Sequence, residues 1–528
     1  MRIKINHKRV FLELRKDPLI VWRFFWKRRL DIILLTIYWI IAIISFIAYS
    51  RSGLQLAYND AMSHLDIARR VFDNLQPGLA QLGSVWLPLP HVLMLPTIWN
   101  DFMWHSGLSA GIISMASFVA AAFATYKTVK LLTDSMWAGV LASLIVAFNL
   151  NFLYMATTAL TEPLFMGLFA CAIYFLVKWA RFFNPLNLVL LGGCTLAMTL
   201  TRYDGWFAFP FLMAAIFVIA YKKRGYKAAE GLTILYATSG ALGMFLWFLY
   251  NLVIFKDAFY FALGEYSAKA QQSIMSKAGV LPTKGNLLLS FQTYYYAVVD
   301  NIGFIVLFFA MIGAIYYLVK EKGLLPKVIA LTLLSTAIFN ILSLFIGFSV
   351  IFVPELSGNS WFNVRYGLIV LPTAAVFIGY LLGTKERIFS VVIPILVALQ
   401  IVLFFQSNYA VTITDGTKGA SQKNVKPIGK IMHNFYEKDN GYILVSAASH
   451  DAILFSSNID LKEFIHEGVK KYWKSALDNP EVYAKYIIMR TNDKQDSVGR
   501  QMATIKDFNS KYVLLYDGDF ADIYKRRF

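Results

Sequence analysis

The sequence contains little cysteine and little charge. Only two of its 528 residues are cysteine, and only 16% are charged. Cys171 and Cys194 both lie in apolar runs, so no disulfide framework is indicated. A phosphate-binding glycine loop, a zinc-binding signature and a nucleophile elbow are also missing. These absences argue against a disulfide-stabilised domain and against the common nucleotide, zinc and serine-hydrolase sites.

Apolar residues dominate instead. They make up 58% of the chain, and uncharged runs of about 16–24 residues recur through the first 400 positions. Such runs match the thickness of a bilayer core, so the sequence predicts a polytopic helical membrane protein with the lipid bilayer as its partner. The first thirty residues are too charged for a signal peptide, and we expect no cleavable signal.

The net charge of +18 is compatible with nucleic-acid binding, but the positions of the basic residues indicate cytoplasmic loops of a membrane protein instead. Residues 1–30 carry ten basic residues against two acidic ones, and later lysines and arginines cluster in short loops. Loops of this kind face the cytoplasm. We therefore expect a cytoplasmic N-terminal segment over 1–30, the plasma membrane as the location, and no nucleic-acid partner.

The charge rule orders the apolar runs into a topology with the N-terminus inside and the C-terminus outside. About eleven transmembrane helices result, within a membrane domain spanning 31–406: 31–50, 108–126, 137–154, 161–179, 186–201, 206–221, 231–254, 301–319, 327–348, 366–383 and 388–406. Prolines interrupt the apolar segment 87–104, which we therefore place at the interface, within the first outer loop, 51–106.

Residues 407–528 have a different composition, with dense charge and apolar runs of strand length. Four strands are predicted, and helical patterns lie between them: Tyr442–Ser446, Tyr486–Met489, Tyr512–Tyr516 and Asp522–Tyr524 for the strands, 462–476 and 497–507 for the helices. About 120 residues suffice for one small α/β domain, which we expect on the extracytoplasmic face.

Acidic, basic and histidine side chains gather on the predicted outer side of the membrane. They come from the first outer loop and from three later outer ends: Asp60, His64, Asp66, His91, Glu162, Arg202 and Arg365. Because all of these residues lie on the same predicted side of the membrane, we expect them to converge on one cavity at the outer surface.

Asp60 is the candidate catalytic residue, because a carboxylate at the membrane surface suits a general base for a hydroxyl acceptor. The alternative is structural, since Asn59 or Asp60 could simply cap the following helix. His64 lies one helical turn further on and could orient Asp60, bind a metal or have no role. We predict no metal site and commit to no cofactor, although a divalent metal stays open.

Each later residue also has two interpretations. Glu162 could shape the site or only stabilise a helix N-terminus. Arg202 could bind a phosphate or form an ion pair with Asp204. Arg365 could hold an anionic leaving group or extend to the interface.

Six short motifs carry a family resemblance. They are, in chain order, Asp60-Ala61, His64-Leu65-Asp66-Ile67-Ala68-Arg69, Trp86-Leu87-Pro88-Leu89, Thr161-Glu162-Pro163, Thr201-Arg202-Tyr203-Asp204-Gly205 and Arg365-Tyr366. The pattern resembles the GT-C superfamily of integral membrane glycosyltransferases, in particular the protein O-mannosyltransferase and aminoarabinose transferase branch. The sequence departs from that branch twice. Ala61 replaces the second acid of its acidic pair, and Trp86 replaces its lysine near the donor phosphate.

The resemblance implies a glycosyltransferase that moves a hexose or pentose from a polyprenyl-phosphate donor to an acceptor hydroxyl, with inversion. The acceptor would be a protein, a lipid or a glycan. Asp60 would act as the base, and Arg202 and Arg365 would bind the donor phosphate. His64, Asp66, His91 and Glu162 would contact the acceptor or shape the site.

Three other classes of membrane protein compete with this interpretation. A secondary transporter would place ionisable residues in mid-membrane and often shows a repeat, neither of which is visible here. A polysaccharide ligase or polymerase would place its key residues in a large late outer loop. A structural scaffold would not explain the acidic first loop.

Overall fold

The computed structural model describes residues 18–527 except thirteen single positions: 265, 266, 278, 359, 385, 408, 421, 423, 424, 439, 440, 492 and 494. The first seventeen residues of the predicted basic segment 1–30 therefore lie outside the described residues.

The described chain is mostly helical, as the sequence predicts. The helices are α1 (Pro18–Arg51), α2 (Asn59–Arg69), α3 (Leu89–Ile98), α4 (Asp101–His105), α5 (Leu108–Thr133), α6 (Met136–Ala147), α7 (Leu150–Met155), α8 (Glu162–Phe182), α9 (Pro185–Thr199), α10 (Tyr203–Arg224), α11 (Tyr226–Phe255), α12 (Tyr260–Leu263), α13 (Ala268–Lys277), α14 (Leu287–Ile302), α15 (Phe304–Lys320), α16 (Leu324–Ile346), α17 (Pro354–Ser357), α18 (Leu371–Leu382), α19 (Arg387–Gln406), α20 (Val411–Lys418), α21 (Lys426–Phe435), α22 (Ala447–His450), α23 (Ala452–Ser457), α24 (Lys470–Asp478), α25 (Pro480–Tyr483), α26 (Ser497–Met502) and α27 (Phe508–Lys511). Short 3-10 turns cover Leu54–Leu56, Leu79–Leu82, Val364–Val370 and Leu461–Glu463.

Eight helices in the described part of the chain are long and apolar enough to cross a membrane. A ninth results if α14 and α15, which meet at 113°, are counted as one span. Each of the eleven predicted segments contains a helix, but α6 has 12 residues and α9 has 15. At about 1.5 Å per residue, these two are shorter than a bilayer core of about 30 Å. The helical membrane fold is confirmed, and the number of spans stays a prediction.

Helices α5 and α8 form one of the tightest contacts of the membrane part. Gly167 of α8 lies over the backbone of Ser117 in α5, where a Cβ atom would come within 2.6 Å of the Ser117 carbonyl oxygen. Because no side chain intervenes at Gly167, the two backbones approach closely. This contact fixes the start of α8, and therefore Glu162, relative to the neighbouring helices.

Residues 51–106, the predicted first outer loop, fold into three short helices. The predicted interfacial segment 87–104 forms α3 and most of α4, and Asn100 caps α4 by accepting a hydrogen bond from the Met103 N–H. Helix α2 is buried along most of its length. The loop is therefore an ordered platform rather than an open connection.

The C-terminal part contains a five-stranded mixed sheet, with strand order β2-β1-β3-β5-β4. The strands are β1 (Tyr442–Val445), β2 (Phe464–Ile465), β3 (Ala484–Arg490), β4 (Tyr512–Tyr516) and β5 (Ala521–Arg526). Strand β1 runs parallel to β2 and β3, whereas β5 runs antiparallel to β3 and β4. The four predicted strands are confirmed.

The two helices predicted in this part are partly wrong. Residues 462–476 do not form one helix, because Phe464 and Ile465 are buried beside Ile443 and Leu444 as strand β2. Helix α24 begins only at Lys470. The predicted helix 497–507 ends at Met502.

The sheet-containing part contacts the end of α2. Arg70 forms an ion pair with Asp451, and the Asp73 carboxylate accepts hydrogen bonds from the backbone N–H groups of Leu461 and Lys462, both at 3.1 Å. These contacts fix the C-terminal end of α2 against the sheet-containing part.

Candidate functional site

Arg365 is the centre of a buried ion cluster. It lies in the 3-10 turn Val364–Val370 that leads into α18, and its side chain is 5% exposed. Its Nε atom donates to Glu162 Oε1 at 3.1 Å, and its Nη2 atom donates to Asp60 Oδ2 at 2.7 Å. One guanidinium group therefore joins the first outer loop to the start of α8.

A second arginine reaches the same glutamate. Arg202 Nη1 donates to Glu162 Oε1 at 3.0 Å, and its Nε donates to Asp204 Oδ2 at 3.0 Å. Burial alone would lower the pKa of Arg202, but the carboxylates of Asp204 and Glu162 raise it above the ordinary value. The ion pair with Asp204, one of the two alternatives for Arg202, is therefore present, and the guanidinium also belongs to the cluster.

Asp60 is the accessible acid of the cluster. Helix α2 begins at Asn59, and Tyr58 at the N-cap position makes no side-chain capping bond. The Asn59 backbone N–H instead donates to Gln422 Oε1 at 3.0 Å. Neither Asn59 nor Asp60 is therefore the capping residue, so the structural alternative for Asp60 is wrong. Its side chain is 42% exposed, whereas that of Glu162 is 2% exposed. A substrate hydroxyl can reach Asp60 but not Glu162.

Helix α20 supplies two further groups that the sequence analysis missed. Asp415 Oδ2 lies 4.0 Å from Arg365 Nη1 and accepts a hydrogen bond from the Tyr58 hydroxyl at 3.1 Å. The Tyr58 hydroxyl also lies 2.8 Å from the Thr412 carbonyl oxygen, and the Arg365 Cζ atom stands 4.9 Å from the Tyr58 ring centre. Asp415 follows the last apolar run, in sequence assigned to the C-terminal domain, and no motif marks it.

His64 and His91 form a buried pair beside Asp60. His64 Nδ1 lies 2.8 Å from His91 Nε2, and the His64 ring centre lies 4.5 Å from the Trp86 ring centre. Burial lowers the pKa of His64 to about 4 and the pKa of His91 well below its ordinary value. Both imidazoles are therefore neutral at pH 7, and Trp86, at the position of the family's lysine, packs against one of them.

Asp66 does not join the cluster. It lies two residues after His64, on the other face of α2, where its Oδ1 atom accepts a hydrogen bond from Trp104 Nε1 at 3.1 Å. Burial raises its pKa to about 7, although Arg70 and the Trp104 hydrogen bond act in the opposite direction. The structure thus brings Asp60, Glu162, Arg202 and Arg365 together, with the histidine pair adjacent and Asp66 apart.

No metal centre is formed by the described residues. Among them, no group of three or more histidine, cysteine, aspartate or glutamate side chains is arranged to hold an ion. The acids of the cluster face guanidinium groups instead, so the cluster is a network of ion pairs with one accessible carboxylate.

Comparisons with known proteins come from structure alone. No protein-family model matches the sequence, and no curated protein matches it. ArnT from Cupriavidus metallidurans, solved with undecaprenyl phosphate, superposes with a TM-score of 0.52 at 11% identity, over 91% of this chain and 97% of that one. The archaeal oligosaccharyltransferase AglB from Archaeoglobus fulgidus was solved with an inhibitory peptide and a dolichol-phosphate. It superposes with a TM-score of 0.50 at 12% identity, over 88% of this chain and 70% of that one. The chain therefore shares the fold of these two membrane proteins, as the resemblance predicted, and the likeness does not distinguish a branch.

Proposed function

We propose that the chain is a membrane glycosyltransferase that transfers a sugar from a polyprenyl-phosphate donor to an acceptor hydroxyl. The observation that carries this proposal is the 2.7 Å contact between Arg365 and Asp60, because a guanidinium group suited to a phosphate lies beside an accessible carboxylate suited to a base. The structures of the two similar proteins hold dolichol-phosphate and undecaprenyl phosphate, which supports a lipid-linked donor here.

In the proposed reaction, Asp60 removes the proton of the acceptor hydroxyl. The acceptor oxygen attacks the anomeric carbon, and the bond from that carbon to the phosphate oxygen breaks. Polyprenyl phosphate leaves with the electron pair, and the configuration inverts because the displacement is single. Arg365 and Arg202 stabilise the negative charge that develops on the leaving phosphate.

Donor binding and base strength would be coupled in this arrangement. Arg365 donates to both Asp60 and Glu162. A phosphate that shares the Arg365 guanidinium weakens its hold on Asp60, so the carboxylate becomes a better proton acceptor only after the donor has bound. Glu162 positions Arg365 and Arg202 rather than contacting the acceptor.

The proposed setting is the extracytoplasmic face of the plasma membrane, with a protein, lipid or glycan acceptor. The motifs favour the protein O-mannosyltransferase and aminoarabinose transferase branch, and the likeness to ArnT is consistent with it. The His64–His91 pair is buried, so we expect it to shape the site beside Asp60.

A donor screen tests the proposal. Purified full-length protein is incubated with polyprenyl-phosphate hexoses and pentoses together with protein, lipid and glycan acceptors, and release of polyprenyl phosphate is measured. We expect turnover with at least one donor. Turnover with none of them, together with measurable solute flux in vesicles containing the protein, would instead support a transporter.

A further inference from the structure

A charged cavity lies at the end of α8 that is opposite Glu162. It has a volume of about 820 Å³, within the range of about 300–1,000 Å³ that is usual for small-molecule sites. Its walls come from α1, α5 and α8. Along α8, about 16–19 residues separate its basic side chains from Glu162, or about 25–30 Å. The cavity therefore has no part in the proposed sugar transfer.

Positive charge dominates the cavity wall. The basic side chains are Lys127, Lys130, Lys178 and Arg181. Two carboxylates face them: Lys127 binds Asp31 at 2.7 Å, and Arg181 binds Asp134 at 2.7 Å. Lys130 and Lys178 form no salt bridge with another described residue; Lys130 bonds the Tyr126 hydroxyl, and Lys178 faces the Tyr174 ring.

The charge balance favours an anion. Four cations and two carboxylates leave two positive charges. Helices α5 and α8 both end at the cavity, and each C-terminus adds roughly half a negative charge. After the two helix ends are compensated, the cavity therefore keeps about one net positive charge.

The rim of the cavity is apolar and exposed. Phe182 is 60% exposed and Ile32 is 37% exposed, and Ile32 lies on a helix whose exposed residues are mostly apolar. Leu35 and Phe123 extend this apolar lining inward. A ligand that combines a charged headgroup with a hydrocarbon chain would satisfy both parts of the wall.

We propose that this cavity binds the headgroup of an anionic phospholipid from the leaflet opposite the sugar-transfer site. The phosphodiester would lie between Lys130 and Lys178, and an acyl chain would follow the apolar rim beside α1. Basic pockets between transmembrane helices bind anionic lipid headgroups in this way. A free phosphate ion would share the charge but not the apolar contacts.

Lipid binding to the purified full-length protein tests the proposal. Retained lipid is counted by native mass spectrometry, and the thermal unfolding midpoint is measured, after addition of phosphatidylglycerol, phosphatidylcholine with the same chains, or inorganic phosphate. We expect retention and stabilisation with phosphatidylglycerol only. Equal effects of phosphatidylcholine would overturn the proposal, and equal stabilisation by inorganic phosphate would show a site for a soluble anion instead.

Substitutions locate the binding site. The double variant Lys130→Gln with Lys178→Gln should weaken phosphatidylglycerol binding by roughly 10- to 30-fold. Lys222→Gln with Lys227→Gln makes the same charge change at exposed positions outside the cavity and should leave binding within about twofold. Lys130→Arg with Lys178→Arg should retain binding, which separates loss of charge from loss of folding. Unchanged binding in the glutamine double variant would overturn the proposal.

Discussion

Arg365 connects three acidic side chains from distant parts of the chain. It bonds Glu162 and Asp60 and approaches Asp415 to 4.0 Å, while its side chain is 5% exposed. A buried guanidinium is stable only when its donors are satisfied, and its planar fork can serve several carboxylates at once. The role of Arg365 therefore depends on its shape as well as on its charge.

Replacing Arg365 by lysine tests this dependence. Lysine keeps the charge but cannot bond Glu162 and Asp60 in the same fork. We expect sugar transfer to fall by roughly 100-fold or more, as when one donor to a developing negative charge is removed. Arg224→Lys, an exposed position at the other end of α10, is the control. Transfer near the unmodified rate in Arg365→Lys would contradict a positioning role for the fork.

Asp66 gives a pH-dependent prediction. Burial raises its pKa to about 7, compared with about 3.9 in an unfolded chain. The native state therefore holds this proton more tightly, and the carboxyl group lowers the stability of the fold increasingly as the pH rises from about 4 to about 7. Asp66→Asn cannot ionise.

The measurement is the thermal unfolding midpoint of Asp66→Asn minus that of the unmodified protein, at several pH values. This difference should become more positive from pH 4 to pH 7. Because other titrating groups are common to both proteins, they cancel in the difference. A difference that stays constant with pH would show that Asp66 has an ordinary pKa.

At the residue scale, the sequence indicated the acids and arginines that come from outer helix ends. Asp60, Glu162, Arg202 and Arg365 stand out because charge is rare beside long apolar runs. Asp66 was grouped with His64 by closeness in sequence, although the helix places them on different faces. Asp415 could not be found, because its neighbour Arg365 is fifty residues away and only tertiary packing joins them.

Helices α5 and α8 form the frame that holds Glu162. Their backbones approach closely at Gly167, so a methyl group there would meet the Ser117 carbonyl at 2.6 Å. A contact of this length forces the helices apart or shifts the start of α8. The geometry of the ion cluster therefore depends on Gly167, which carries no charge.

Gly167→Ala should destabilise the protein by about 1–3 kcal/mol, as overpacking usually does, and lower the thermal unfolding midpoint. Gly193→Ala is a matched control, because Gly193 lies in helix α9 and a Cβ there meets nothing within 4 Å. That control should be neutral or stabilising by up to about 1 kcal/mol, since alanine favours a helix over glycine. Equal midpoints for the two variants would contradict the close approach of α5 and α8.

At the element scale, length and hydropathy predicted where helices form but not where they break. The predicted span 137–154 divides between α6 and α7, because the Asn149 side chain accepts a hydrogen bond from the Phe152 N–H and starts a new helix. Strand β2 was assigned to a helix because its two residues are too few to show a period. Pairing with β1 determines its conformation.

The whole molecule combines apolar helices with a polar C-terminal sheet that contacts the first outer loop. Composition alone separates these two parts of the chain, because the change near residue 407 is abrupt. The orientation of the chain in the membrane rests on the distribution of basic residues. Orientation is therefore a prediction that needs its own test.

Cysteine labelling gives that test, because both native cysteines lie within helices α8 and α9. Lys462→Cys places a thiol in the sheet-containing part, at a side chain that is 52% exposed, and Lys322→Cys places one in a predicted inner loop. A membrane-impermeant maleimide should label Lys462→Cys in intact cells and Lys322→Cys only after permeabilisation. The reverse pattern would place the site on the cytoplasmic side.

The base role of Asp60 is the central claim. In Asp60→Asn, Arg365 keeps its bond to Glu162, so folding and donor binding should be retained. The control is Asp101→Asn, which changes a 73% exposed acid of the same loop that pairs with Arg69.

The most direct measurement compares sugar transfer and equilibrium donor binding in these two variants, with the lipid-linked donor that the screen identifies. We expect Asp60→Asn to bind the donor at least as tightly as the unmodified protein and to transfer roughly 10²–10⁴-fold more slowly, while Asp101→Asn behaves like the unmodified protein. Transfer by Asp60→Asn at the unmodified rate would contradict the proposed mechanism.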